Sequence, residues 1–481
     1  MLSLKLNNIH VYEKYFGGKF MNKQQEEDFS AIVKDFKGFF NNTQGEKFDE
    51  NSFLSFLKEN PTSEPQKENV SRTMEPKFVK ADHREEFNPN SIAPKKQGNV
   101  LILTELGVGD FIIATGTIRE IRRIYPKSHI TLVAHRKTLS FAEICPYVDE
   151  VILNTKFSDK LPEMYEFCME TARKLLNRRF DICFSLSTHI YTDLLMYMSG
   201  ARIRLTSLYW RKWTELDAIK KTDLLRYIKL LATHIVPYGD THCHMADRNF
   251  SLPEEILHMP ILNRKLESWY TPEDLSAAKE NLKDSPIPFY ALSMGGTWAR
   301  KRYPPEKYAH LLEMIAEEEP SAHFVILGGG NADLKSAEII KATVPKLYEK
   351  RITDLTNKLT YRQSAAALSF CKMLIANDTG TAHIAAGLGC PVLSPHCFPA
   401  DFKLSNLVAP ARWAPYGVPC VIVLPEHALP ECQGKLRDNY GCRMKEISHC
   451  ITQIEPETLL KGFHLLKKRA KEKIIAPLYI Y

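Results

Sequence analysis

The chain has 481 residues, 44% of them hydrophobic and 25% charged, with a formal net charge of +7. Its length is about three times that of a common domain and its composition is globular, which excludes a disordered or fibrous chain and calls for two core domains plus an appendage. There is no apolar run of membrane-spanning length, no secretory leader in MLSLKLNNIHVYEKYFGGKF and no Lys/Arg block interleaved with aromatics, so the expectation is a cytoplasmic protein with no nucleic acid as partner.

Residues 1–95 lack strand–helix alternation and read as an extension. EEDFSAIVKDFKGFF and FDENSFLSFLKEN carry apolar residues at helical spacing, and the stretch from Thr62 to Lys96 has the composition of a linker. From Asn99 the grammar changes. NVLILTEL predicts a buried strand, GVGD a turn and FIIATGTIREIRRIYP a helix, after which HITLVAH, DEVILN and FDICFSLS predict further strands separated by helical segments. A first α/β domain over 96–265 follows, with the boundary between residues 240 and 270.

The second half repeats the pattern over 266–460. PFYALSMGG, AHFVILGGG, KMLIAND and CPVLSPH read as strands, while PPEKYAHLLEMIAEEEP, TYRQSAAALSFC and TGTAHIAAGLG read as helices. Buried apolar strands alternating with helices call for parallel, doubly wound sheets of Rossmann-like type. Two such domains leave a cleft at the carboxyl ends of their strands, where ligands bind. Residues 461–481 form a basic tail: KGFHLLKKRAKEK either attracts an anionic membrane or phosphorylated acceptor or is a solvated helix face.

Three segments carry candidate chemistry. ELGVGDF sets Asp110 between the first strand and the first helix. The third glycine of a dinucleotide loop is missing, and a carboxylate there would repel a diphosphate, which weakens an oxidoreductase reading. Asp110 is a helix N-cap, a general base facing the cleft, or both. In IANDTGTAHIAAGLGCP a strand ends at Asn377 and Asp378, and Thr379, Gly380 and Thr381 open a helix whose amides can cradle a diphosphate without a metal, with His383 in its first turn. SMGGTWARKRYPPEKY brings Thr297, Arg300, Lys301 and Arg302 to the same carboxyl edge, suited to an anionic leaving group. The 11 cysteines include isolated positions such as Cys183 and Cys371 and suit reduced thiols. Cys432, Cys442 and Cys450 with His449 lack a metal-binding spacing, so no metal and no cofactor is expected.

GVGDFIIATGTIREIRRIYPKSHITLVAH, KRYPPEKYAHLL and NDTGTAHIAAGLGCPV, in that order, resemble the motifs of glycosyltransferase family nine, which includes ADP-heptose:lipopolysaccharide heptosyltransferases. The likeness runs from about Asn99 to Glu457, with Tyr303 where the family has tryptophan. It implies a GT-B fold, with the acceptor on the first domain and the nucleotide sugar on the second. Asp110 then matches the catalytic base of an inverting displacement, Lys301 a lysine at the phosphate or sugar, and Thr297 a phosphate-side hydroxyl. Asp378, Thr379, Gly380 and His383 match the nucleotide-sugar signature, and Asp333 an acid near the ribose. The implied activity moves heptose from ADP-heptose to a lipopolysaccharide core or related surface glycan, without a divalent cation and with peripheral inner-membrane contact. Another nucleotide sugar, a protein acceptor or a non-catalytic nucleotide-sugar-binding module are the alternatives.

Overall fold

The computed structural model of the protein describes residues 79–80, 98–104, 107–154, 161–175, 178–187, 190–207, 231–236, 243–296, 298–400, 410–428 and 450–481. The helical module expected in the N-terminal extension lies outside them.

Two seven-stranded sheets organise the described residues. The first contains β1 (Val79–Lys80), β2 (Asn99–Leu103), β3 (His129–His135), β4 (Glu150–Asn154), β5 (Ile182–Ser185), β6 (Ile203–Ser207) and β7 (His234–Val236). Their spatial order is β1-β7-β6-β5-β2-β3-β4. Among these strands lie helices α1 (Val108–Ile124), α2 (Leu139–Ala142), α3 (Leu161–Leu175) and α4 (Ile190–Met198), and α5 (Met245–Ser251) follows. Pairing is parallel from β2 to β3 and β5 and on through β6 to β7, while the two-residue β1 runs antiparallel to β7. Val100, Leu101, Ile102 and Leu103 are each at most 1% exposed, as a strand covered on both faces requires.

The second sheet contains β8 (Phe289–Ser293), β9 (Phe324–Leu327), β10 (Ile352–Asp354), β11 (Cys371–Ala376), β12 (Val392–Pro395), β13 (Cys420–Val423) and β14 (Leu478–Ile480), in the order β10-β9-β8-β11-β12-β13-β14. All its pairs are parallel. The connecting helices are α6 (Pro272–Asn281), α7 (Pro305–Glu318), α8 (Asn331–Thr343), α9 (Lys346–Glu349), α10 (Tyr361–Leu368), α11 (Gly380–Gly387), α12 (Pro410–Trp413) and α13 (Pro456–Glu472). The start of α6 is fixed by a capping box: Thr271 accepts from the Asp274 amide at 3.2 Å, and the Asp274 carboxylate accepts from the Thr271 amide at 3.0 Å.

Compactness divides the described residues into two units. The second is assembled from those within Thr104–Pro126, Ala134–Leu153 and Asp240–Tyr481, and the first from the rest. Helix α1 therefore counts with the second unit. It is buried on nearly every side, including Thr115, Thr117 and Glu120. A strap over residues 260–268 pairs with several of its polar groups: Arg123 donates to the Pro260 carbonyl at 2.6 Å, Arg119 to the Asn263 carbonyl at 2.6 Å, and Glu120 accepts from the Leu262 amide at 3.2 Å.

The basic segment near the C-terminus forms α13. Leu459, Phe463 and Leu466 make a stripe at helical spacing that is buried in the second core, while Lys461, Lys467, Lys468 and Lys471 remain exposed. The solvated-face reading therefore describes its outer side. Beyond it, Leu478–Ile480 forms the edge strand paired with β13. Among the described residues no helix is long and apolar enough to cross a membrane.

Candidate functional site

The second sheet reverses its winding between β8 and β11, so the loops leaving these neighbouring strands part at their carboxyl ends and leave room for a ligand. Asn377, fully buried at the end of β11, fixes the two loops together. Its Nδ2 donates to the Met294 carbonyl at 2.6 Å and the Gly295 carbonyl at 3.3 Å, and its Oδ1 accepts from the Tyr303 amide at 3.2 Å and the Tyr308 hydroxyl at 2.8 Å. With donors and acceptor satisfied, this amide rigidly sets the loop of Lys301 against that of Asp378.

Lys301 and Asp378 form an ion pair, with side-chain exposures of 19% and 12%. Burial, the largest single influence, would raise the Asp378 pKa, but the Lys301 charge, His396 and the hydrogen bond from Lys301 together outweigh it and hold the carboxyl at about 2. Burial pulls Lys301 down, while attraction to Asp378 and smaller contributions that include Asp110 carry it above its ordinary value. Asp110 is thus within electrostatic reach of the pair.

The loop of Asp110 shows why two glycines stand before it. Gly107 is the N-cap of α1, with φ −90° and ψ 147°, and Asp110 is the third helical residue, so the aspartate is an acid in the first turn and not the cap. A Cβ on Gly107 would sit 2.3 Å from Asp110 Oδ2, so the carboxylate occupies the space a side chain would take. A Cβ on Gly109 would meet His383 Cδ2 at 2.7 Å and Gly380 Cα at 3.3 Å. Glycine therefore permits the N-termini of α1 and α11 to touch, and their unsatisfied amides make a field that favours an anion.

Thr379 is the N-cap of α11 in extended conformation and makes no side-chain cap hydrogen bond, and Gly380 and Thr381 follow in the first turn. His383 is 5% exposed, and its Nδ1 has no hydrogen-bond partner. Burial, opposed by Asp378 and assisted by Lys301 and His396, lowers its pKa to about 4, so the ring is neutral at pH 7. The structure thus brings Asp110, Lys301, Asp378, Thr379, Gly380, Thr381 and His383 into one neighbourhood of the second unit. Thr297 lies outside the described residues, as do Cys432, Cys442 and His449. Cys450 is 3% exposed, and among the described residues no three His, Cys, Asp or Glu side chains gather as metal ligands.

Asp333 accepts from the Gly329 amide at 2.9 Å and fills the space beside Gly328, where a Cβ would lie 2.8 Å from its Oδ2. Its visible task is to hold this glycine turn closed. One residue not singled out in the sequence joins the site. The pairing of Leu374 with Val392 and Ile375 with Leu393, continued three residues further, sets His396 opposite Asp378. His396 is 4% exposed, and burial, with Lys301 outweighing part of the pull of Asp378, lowers its pKa to about 4. The signal for it was a polar residue directly after a strand, in VLSPH, on the neighbour of the motif strand.

Comparison with known proteins bears on the fold and the enzyme class. The family described as glycosyltransferase family 9 (heptosyltransferase) matches residues 168–396. A lipopolysaccharide heptosyltransferase 2 of Escherichia coli K12 is 21% identical over 299 residues, 61% of this chain and 81% of its own length. A solved glycosyl transferase family 9 structure from Veillonella parvula superposes with a TM-score of 0.60 at 19% identity, covering 78% of this chain and 99% of the other. The E. coli ADP-heptose lps heptosyltransferase II structure gives 0.57 at 17%, with the same coverage. The α/β architecture is that of these GT-B enzymes. By these likenesses the chain is a glycosyltransferase, similar over residues 168–396 to family 9.

Proposed function

We propose that the protein transfers a heptose from ADP-heptose to a lipopolysaccharide core or a related surface glycan, with inversion at the anomeric carbon. The observation that supports this reading most is the meeting of three separate sequence segments in one place: the Asp110 turn packs on the Gly380–His383 turn, and Lys301 pairs with Asp378. Asp110 takes the proton from the acceptor hydroxyl, and that oxygen displaces the nucleoside diphosphate in one step. The amides opening α11 and the Lys301 ammonium take up the charge developing on the departing diphosphate, as fixed donors in a partly desolvated site can. Thr297, Thr379 and Thr381 offer hydroxyls to the phosphates. The acceptor proposed is the kind named for the relatives above, a lipopolysaccharide core or related surface glycan, reached through peripheral contact with the inner membrane.

The test is turnover of ADP-heptose by purified wild type and Asp110→Ala, with EDTA present and a lipid-extract acceptor. The expected result is ADP release by wild type and a loss of about 10²–10⁴-fold in the variant, the range for removing a general base. Consumption of a different nucleotide sugar in preference would overturn the heptose assignment. Equal activity of Asp110→Ala would overturn the role of the base.

A further inference from the structure

Two cysteines outside the candidate chemistry face each other. Cys371 opens β11, and Cys390 sits in the turn between α11 and β12. Their Sγ atoms are 3.1 Å apart, although 19 residues separate them in sequence. That is closer than two sulfurs pack without chemistry between them and about 1 Å longer than a disulfide bond. Both positions are built. The pairing of β11 with β8 shifts register between Cys371 and Met373, an irregularity that re-aims the first side chain of the strand. Cys390 follows Gly389, which holds φ +80° after the end of α11, and the Cys390 amide donates to the Ala385 carbonyl at 2.9 Å. Cys390 is 6% exposed, while Cys371, at intermediate exposure, is the more open of the two residues.

We propose that Cys371 and Cys390 form a reversible disulfide under mild oxidation, a modification site that staples the base of the crossover carrying Asp378–His383 at its other end. The co-reactant is a low-molecular-weight disulfide. The Cys371 thiolate attacks one of its sulfurs, breaking that S–S bond and releasing one small thiolate. The Cys390 thiolate then attacks Cys371 Sγ and expels the second. Two cysteine thiols are oxidised, one small disulfide is reduced to two thiols, and the two cysteine protons pass to the departing thiolates. The neighbouring thiol and burial both hold Cys371 protonated, so the first step accelerates as pH rises. Proximity makes the second step faster than the first, so the mixed disulfide does not accumulate. The staple forms independently of the donor sugar and of the role of Asp110.

The experiment treats the full chain with oxidised glutathione at pH 7 and pH 9, blocks the remaining thiols and maps peptides by mass spectrometry. The expected product is one cross-linked pair joining the peptides of Cys371 and Cys390, with a loss of about 2 Da, faster at pH 9 and reversed by dithiothreitol. Amide exchange across residues 377–390 should slow in the cross-linked form. Recovery of both cysteines as blocked thiols would overturn the proposal. So would glutathione retained on Cys371, or a cross-link to another of the cysteines. These readouts use wild type alone and do not depend on a variant folding. Cys390→Ser adds a direct check, because in it glutathione should stay on Cys371.

Discussion

Lys301 and Asp378 hold each other in their charged forms in a place where neither would be stable alone. Lys301→Met should therefore cost more than a lost contact, because it leaves a largely buried carboxylate unpaired. The expected destabilisation is about 3–5 kcal/mol, read from the urea midpoint, and Lys301→Met with Asp378→Leu should recover much of it. A single variant as stable as wild type would mean that the pair contributes nothing. Acid sensitivity belongs at this scale too. His244, His383 and His396 are each lowered to about 4, largely by burial. Unfolding restores the ordinary value of about 6.5, so between these pH values the unfolded chain binds more protons and stability falls as pH drops. Each histidine adds up to about 1.4 kcal/mol per pH unit to that slope. Above pH 7 the slope from them vanishes. A urea midpoint that stays flat from pH 6.5 to 4.5 would contradict this set of neutral buried rings.

Glycine inside α1 shows how an element is set by what packs on it. Replacing a mid-helix glycine by alanine ordinarily stabilises by about 1 kcal/mol. At Gly116 a Cβ would meet Phe250 Cζ at 2.7 Å and the Lys265 carbonyl oxygen at 2.9 Å, and backbone cannot step aside as a side-chain end can. Gly116→Ala should thus destabilise by about 1–3 kcal/mol, the scale of overpacking, which thermal unfolding would measure. A higher melting temperature would show that the 260–268 strap yields. The elements best legible in the sequence were those with a strong local signal: HITLVAH became β3 residue for residue and the amphipathic α7 lies where its periodicity set it, while the buried α1 begins three residues early, taking Val108, Gly109 and Asp110 from the expected turn. Short strands such as β10 and β14 carry too few residues for a period, and β14 lies within what reads as a basic tail. The site was legible where residues are consecutive, as in NDTGTAH. The ion pair joining Lys301 to Asp378, 77 residues on, and the approach of His396 are products of strand order, which no local spacing contains.

The described parts of the candidate site belong to one compact unit, and this makes ligand binding a stability measurement. If ADP occupies the site, the unit that includes α1 and the second sheet should gain about 2.7 kcal/mol at a hundredfold excess over Kd, with EDTA making no difference. Calorimetry should show a transition that moves with ADP. No shift at millimolar ADP would remove the nucleotide from the proposal. That same unit draws on three separated stretches of chain, and Asp110 stands 268 residues before Asp378, the difference of their positions. Cutting near residue 240 therefore cannot yield a working half: the later fragment would lack the helix that packs on the Gly380 turn. On refolding, local helices and neighbouring strands should form first. Competence to bind nucleotide would come last, once the ends of a very long loop have met.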